Sequence, residues 1–160
     1  MNFYQDLGAL IFGSRLRRLS ERFLAEVNKI YQEEGVPFDA SWFPVFYLLD
    51  QKNHISLIEI SDKLEVSHSA ISQLISNLEK KGLVQMEKDP DDGRRRLITL
   101  TDEGKVMKNQ VRKIWVHLQE TMDELLTEGE HSKHLLNGLS EIEKSMEERP
   151  LYERVLGRME

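Results

Sequence analysis

The sequence contains no cysteine. Disulfides, thiolate metal sites and thiol nucleophiles are therefore excluded, and so is redox sensing through a thiol. Long hydrophobic runs are missing as well. The densest one, residues 42–49, is far shorter than the roughly 20 apolar residues of a membrane-spanning helix. The apolar run at residues 7–12 has Asp6 before it and Arg15 after it, the reverse of the charge order in a secretory signal, so the sequence predicts a cytoplasmic protein. There is no glycine-rich phosphate loop, no G-x-S-x-G elbow and no pair of carboxylates placed as acid and base. An enzyme and a bound cofactor are both unexpected.

Metal sites fare little better. His131 and His134 lie one helical turn apart beside Glu130, but two ligands fall short of the usual four, and surface histidines are the simpler reading. Residues 89–93, Asp-Pro-Asp-Asp-Gly, superficially suggest a calcium loop. Such a loop needs glycine at its sixth position and glutamate at its twelfth, where this chain has Arg94 and Leu100. No metal is predicted.

What is present is a helix-rich composition, 39% apolar and 31% charged, within 160 residues, enough for one domain with a sizeable core. The net charge of -6 is unevenly spread. Lys80, Lys81, Lys88, Arg94, Arg95 and Arg96 cluster in the middle of the chain, whereas Glu120, Asp123, Glu124, Glu128 and Glu130 make its last third acidic. Local sign decides what a surface attracts, so the total does not exclude a nucleic-acid partner.

The chain is organised around residues 57–83. Leu57, Ile60 and Leu64 form one face of a short helix that stops at Glu65-Val66-Ser67. Ser67 then caps a second helix, and the connection is too short for anything but a helix-turn-helix. The second helix is predicted to bury Ala70, Ile71, Leu74, Ile75 and Leu78. Ser69, Ser72, Gln73, Ser76 and Lys80 recur on its opposite face. A solvated helix face usually fills with Glu and Lys. Short hydroxyls and an amide instead allow close approach to phosphates and base edges, which marks Ser67, His68, Ser69, Ser72, Gln73, Ser76, Asn77 and Lys80 as candidate DNA contacts. From this face alone a generic surface helix remains an alternative.

The next residues favour the first reading. Lys80-Lys81-Gly82 ends the helix with cations and a glycine. Residues 83–88 read as a strand, 89–93 as a turn and 94–100 as a return strand, giving a hairpin with a basic tip. The segments VSHSAISQLISNLEKKGLV and DPDDGRRRLITLTDEG resemble the MarR family of bacterial transcription regulators. Most specific are Asp-Pro-x-Asp-x-Arg and the following Leu-x-Leu-Thr-x-x-Gly pattern, which stands here as Ile98-x-Leu100-Thr101-x-x-Gly104. The resemblance covers almost the whole chain and implies a homodimer that binds double-stranded DNA, most often as a repressor. It also implies that Asp92 and Arg94 match the wing acid and the arginine that enters the minor groove. Asp91 and Gly93 stand where the family often has arginine, and Arg95 and Arg96 are placed to compensate.

On either side lie long helices. The first is predicted over residues 5–33, with Leu7, Leu10, Ile11, Leu19, Phe23, Val27, Ile30 and Tyr31 at helical spacing. Arg15, Arg18 and Arg22 share one of its faces, read foremost as a solvated edge. A second helix starts near Asp39 or Ser41 with Pro44 in its first turn and carries Trp42, Phe43, Phe46 and Tyr47. So many aromatics are more often core than pocket. The resemblance implies a small effector near the meeting of these helices and the reading lobe, which makes Arg15, Trp42, Tyr47 and Trp115 candidate effector residues.

After the wing, Thr101-Asp102-Glu103 caps a third long helix reaching about Thr127. Gly129 interrupts, and apolar helical patterns continue through Leu135, Leu139, Ile142, Leu151 and Leu156. Terminal helices this apolar need a partner, and a second copy matches a palindromic DNA site. The expected architecture is mainly α with a small β-hairpin wing: one domain over 1–160, with residues of about 40–100 as the winged helix-turn-helix and about 1–35 and 101–160 as flanking dimerisation helices. The competing function is a winged helix used for protein–protein interaction without DNA. An adaptor, however, has no need of Arg94, Arg95 and Arg96 beside a polar helix face.

Overall fold

The computed structural model describes residues 3–90, 92 and 95–159, with the side chain of Gln5 left aside. It forms two compact units, residues 1–114 and 115–160, each taken by itself below.

The first unit opens with α1 (Phe3–Asp6), a 3-10 turn (Gly8–Ile11) and α2 (Phe12–Glu33). The expected single helix from residue 5 is thus broken at Gly8, whose φ of 53° lies in the left-handed region that glycine adopts without steric cost. Apolar spacing runs through the break, which hid it. α2 stops at Gly35, also left-handed, and a 3-10 turn (Ala40–Trp42) leads into α3 (Phe43–Gln51). Of the two proposed caps, Asp39 does the work: its Oδ1 accepts from the Ser41 N–H at 2.8 Å. Asn28 Oδ1 on α2 accepts from the Ala40 N–H at 2.7 Å, tying the two helices together.

A short strand β1 (Ile55–Ser56) follows, then α4 (Leu57–Leu64) and α5 (His68–Lys80), then the hairpin of β2 (Val84–Lys88) and β3 (Arg96–Leu100). All pairing is antiparallel in the order β1-β3-β2, with Ile55 opposite Ile98 and Val84 opposite Leu100. The hairpin strands begin one and two residues later than expected.

The core of this unit combines Val45, Phe46, Ile60, Ile71, Ile75, Leu78, Val84, Ile98 and Val111 with an aromatic group. Phe38 sits at its centre, edge-on to Tyr31, Trp42 and Phe46 at 5.1, 5.4 and 4.9 Å between ring centres. Burying each such side chain contributes about 1.5–3 kcal/mol. α6 (Asp102–Glu128) begins in this unit, where Asp50 of α3 receives Lys108 at 3.0 Å and Arg112 at 3.8 Å.

The second unit contains the remainder of α6, a 3-10 turn (Ser132–His134), α7 (Leu135–Glu148) and α8 (Leu151–Leu156). Its apolar residues are not covered: Leu125, Leu136, Ile142, Leu151, Tyr152, Val155 and Leu156 are all exposed in the single chain. Among the described residues, no helix is long and apolar enough to cross a membrane.

Candidate nucleic-acid interface

The helix-turn-helix is held at its turn by a residue the sequence reading passed over. Ser61 is buried in α4, donates its hydroxyl to the Val66 carbonyl at 2.5 Å and accepts the Val66 N–H through its own carbonyl at 3.2 Å. Between them Glu65 ends α4 with φ 53°, a left-handed conformation rare for a side chain with a β-carbon. A serine four residues after Leu57, one after Ile60 and three before Leu64 lies on the apolar face, which signals a buried polar group with a local partner.

Ser67 caps α5 as expected: its hydroxyl accepts from the Ala70 N–H at 3.4 Å and contacts the Ser69 hydroxyl at 3.2 Å. Ile71, Ile75 and Leu78 turn into the core, with Leu74 half-buried. Ala70, expected in the core, is exposed, because it stands about 100° round the helix from Ile71, at the edge of the packed stripe. Ser67, His68, Ser69, Ser72, Gln73, Asn77 and Lys80 are all exposed and Ser76 is half-buried, so the candidate contacts do form one accessible polar surface. The helix ends at Gly82, φ 71°, with Gly82 N–H donating to Glu79 O at 2.9 Å and Leu83 N–H to Leu78 O at 3.0 Å.

At the base of the wing Arg95 is exposed, as are Lys88 and Arg96. The Arg95 N–H donates to Asp92 O at 2.8 Å and its carbonyl accepts from Asp89 N–H at 3.1 Å, so the backbone here is fixed although the side chain is accessible. Asp92 is exposed, while Arg94 lies outside the described residues.

A second feature missed from sequence braces the edge of this surface. Lys52 pairs with Glu59 of α4, and this hydrogen bond, aided by the charges of Lys63 and Arg95, holds the Glu59 carboxyl below the ordinary carboxylate range. Lys63 stands four residues on in α4, at helical spacing, but Lys52 lies outside that helix and Arg95 is remote in sequence, so no spacing announces those two.

Three of the candidate effector residues lie in the first unit, in different settings. Trp42 is buried, with the Lys81 ammonium 5.3 Å from its ring centre. Tyr47 is exposed and stacks obliquely on Phe43 at 5.5 Å. Arg15 is exposed on α2, where its neighbour Arg18 lies 4.2 Å over Tyr4. Trp115, half-buried, belongs to the other unit. His131 and His134 are exposed beside the turn before α7.

An exposed, short-chained polar helix face beside a basic hairpin can lie in a groove of nucleic acid, with its hydroxyls on phosphates and its amide on a base edge. The comparisons with known proteins bear on the same segment. The sequence model of the MarR family matches residues 35–95. An uncharacterized HTH-type transcriptional regulator, YdgJ of Bacillus subtilis (strain 168), is 32% identical over 88 residues. That match takes in 51% of this chain, which spans 52% of the relative's length. Among solved structures, the S. aureus MepR–DNA complex superposes with a TM-score of 0.70 at 21% identity, over 84% of this chain and 97% of that one. PcaV from Streptomyces coelicolor in complex with its natural ligand gives 0.66 at 21% identity, over 83% and 91%. At such identities the likeness is one of fold. The matched segment is centred on the helix-turn-helix and wing just described, and over those residues the chain is similar to the MarR family.

Proposed function

We propose that this protein is a sequence-specific, double-stranded-DNA-binding transcription regulator that acts in the cytoplasm as a homodimeric, ligand-responsive repressor. One observation carries the reading: the exposed row of Ser69, Ser72, Gln73 and Asn77 on α5, flanked by the cations of its C-terminus and of the wing. In this reading α5 enters the major groove. Ser67, Ser69 and Ser72 position it on phosphates, and Gln73 reads a base edge such as adenine. Arg94 or Arg95 reaches the neighbouring minor groove. A solved relative bound to DNA and another bound to its natural ligand support the two halves of the proposal. The uncovered apolar ends of the chain supply the dimer surface, and twofold symmetry calls for inverted half-sites about 34–36 Å apart.

Selection of fragments from a random duplex pool by the purified protein tests this directly. Enrichment of an inverted repeat with half-sites one helical turn apart is expected. The alternative of a protein-interaction module predicts no enriched sequence.

A further inference from the structure

Four residues form an unusually close joint between the end of the recognition helix and the start of α6. The Thr101 hydroxyl donates to the Gly82 carbonyl at 2.5 Å and accepts from the Gly104 N–H at 3.0 Å. The Thr101 N–H donates to the Leu83 carbonyl at 3.2 Å. Gly104 is buried against the same carbonyl: a β-carbon there would lie 2.0 Å from Leu83 O and 3.2 Å from Leu100 Cδ2. A backbone oxygen cannot swing aside as a flexible side chain does, so any residue but glycine must displace the first turn of α6 from the turn that closes α5. Gly104 is helical, so it is the close approach, and no unusual dihedral, that demands glycine.

We propose that Thr101 and Gly104 are positioning residues which fix the direction of α5 relative to the first turns of α6, and thereby the half-site spacing that the dimer accepts. Neither residue lies on the exposed face of α5, so the proposed effect is exerted through helix orientation. The first part stands on the geometry of the joint. The second rests on the function proposed above.

The chain has no native cysteine, so Glu79→Cys on α5 and Lys113→Cys on α6, both exposed, give unique sites for paired spin labels. Labelled chain diluted into excess unlabelled chain reports the distance within one protomer. In the otherwise unchanged protein a single narrow distance is expected. Gly104→Ala should shift or broaden it, Thr101→Val should broaden it, and Thr101→Ser, which keeps the hydroxyl, should restore it. An unchanged distribution in Gly104→Ala and Thr101→Val overturns the joint whatever the protein does with DNA. If Gly104→Ala fails to fold, the Val and Ser variants at Thr101 decide.

The same variants, without labels, are then titrated with the selected duplex and with duplexes whose half-sites are moved one base pair closer or further apart. Gly104→Ala and Thr101→Val should lose about tenfold or more on the original spacing, comparable to a mismatched site. They should lose little on unselected DNA and less on an altered spacing, with Thr101→Ser close to the parent. Equal losses on every duplex, in step with a lowered Tm, would make the joint merely structural and overturn its role in spacing. If the parent protein selects no DNA at all, the proposed function fails, while the label distances still decide the joint.

Discussion

The reading lobe and the C-terminal unit use similar amounts of helix in opposite ways. In the lobe, α4, α5 and the hairpin enclose Ile60, Ile71, Ile75, Leu78 and Ile98, each 2% exposed or less. In residues 115–160 no described side chain is buried, and Leu136, Tyr152 and Leu156 stand 61%, 64% and 55% exposed. One region completes its own core, and the other presents apolar surface of the kind that marks an association site. A helix can therefore be well formed and still be unfinished as a folded object. The N-terminal segment shares this state, with Leu10 and Leu19 exposed at 88% and 57%.

Removing the C-terminal helices should have the largest effect on this contrast. A chain ending at Gly129 is expected to be monomeric or aggregated by light scattering and to lose specific DNA binding. A truncated protein that remains dimeric would break the comparison.

Point substitutions sharpen it. Leu78→Ala, in the lobe, should cost about 2–5 kcal/mol of stability in denaturant titration, since it leaves a cavity in a packed core. Leu156→Ala should change the stability of a monomer by less than about 0.5 kcal/mol, as surface substitutions do, and yet weaken self-association measured by sedimentation. Comparable stability losses in the two variants, with self-association intact, would contradict the contrast.

Within the lobe, the face of α5 should matter for recognition and hardly at all for folding. Gln73→Ala should cost about 1–3 kcal/mol on the selected duplex and far less on random DNA. Arg95→Ala should instead weaken both, lowering the slope of log affinity against log salt by roughly 1.8 if each of two copies gives up one phosphate-equivalent contact. Arg94→Ala, measured beside it, decides which wing arginine makes the contact.

The smallest effect concerns the brace at Glu59. Its folded pKa is depressed, chiefly by the hydrogen bond from Lys52, so the stabilisation is present above the ordinary carboxylate range and lost as pH falls through the depressed value. Lys52→Met should move the Glu59 titration, followed by NMR, back upward. An unmoved titration would remove Lys52 as the cause.

Much of this architecture is legible in the sequence because it rests on local chemistry. Ser67 as a cap, the Ile71, Ile75 and Leu78 stripe, Gly82 as a stop and Thr101 as the next cap each follow from a residue type at a fixed offset. The rest depends on contacts between distant segments. β1 has two residues, too few for a period, and Ser56 serves both as strand residue and as cap to α4, accepting from Glu59 N–H at 3.2 Å. The break at Gly8 was masked by apolar spacing that continues across it. Gly104 closes the Leu-Thr-x-x-Gly motif, but the reason for glycine there is not local, since it comes from a carbonyl 21 positions earlier. Among the candidate site residues, exposure on α5 was readable from its polar face.

The contrast is between a lobe with a buried core and terminal helices whose apolar residues are uncovered in the single chain. Sedimentation equilibrium of the intact protein, alone and with the selected duplex, tests that most directly. A dimer in solution and two chains on each palindromic duplex are predicted. A stable monomer that binds the duplex one chain at a time, without cooperativity, would contradict it.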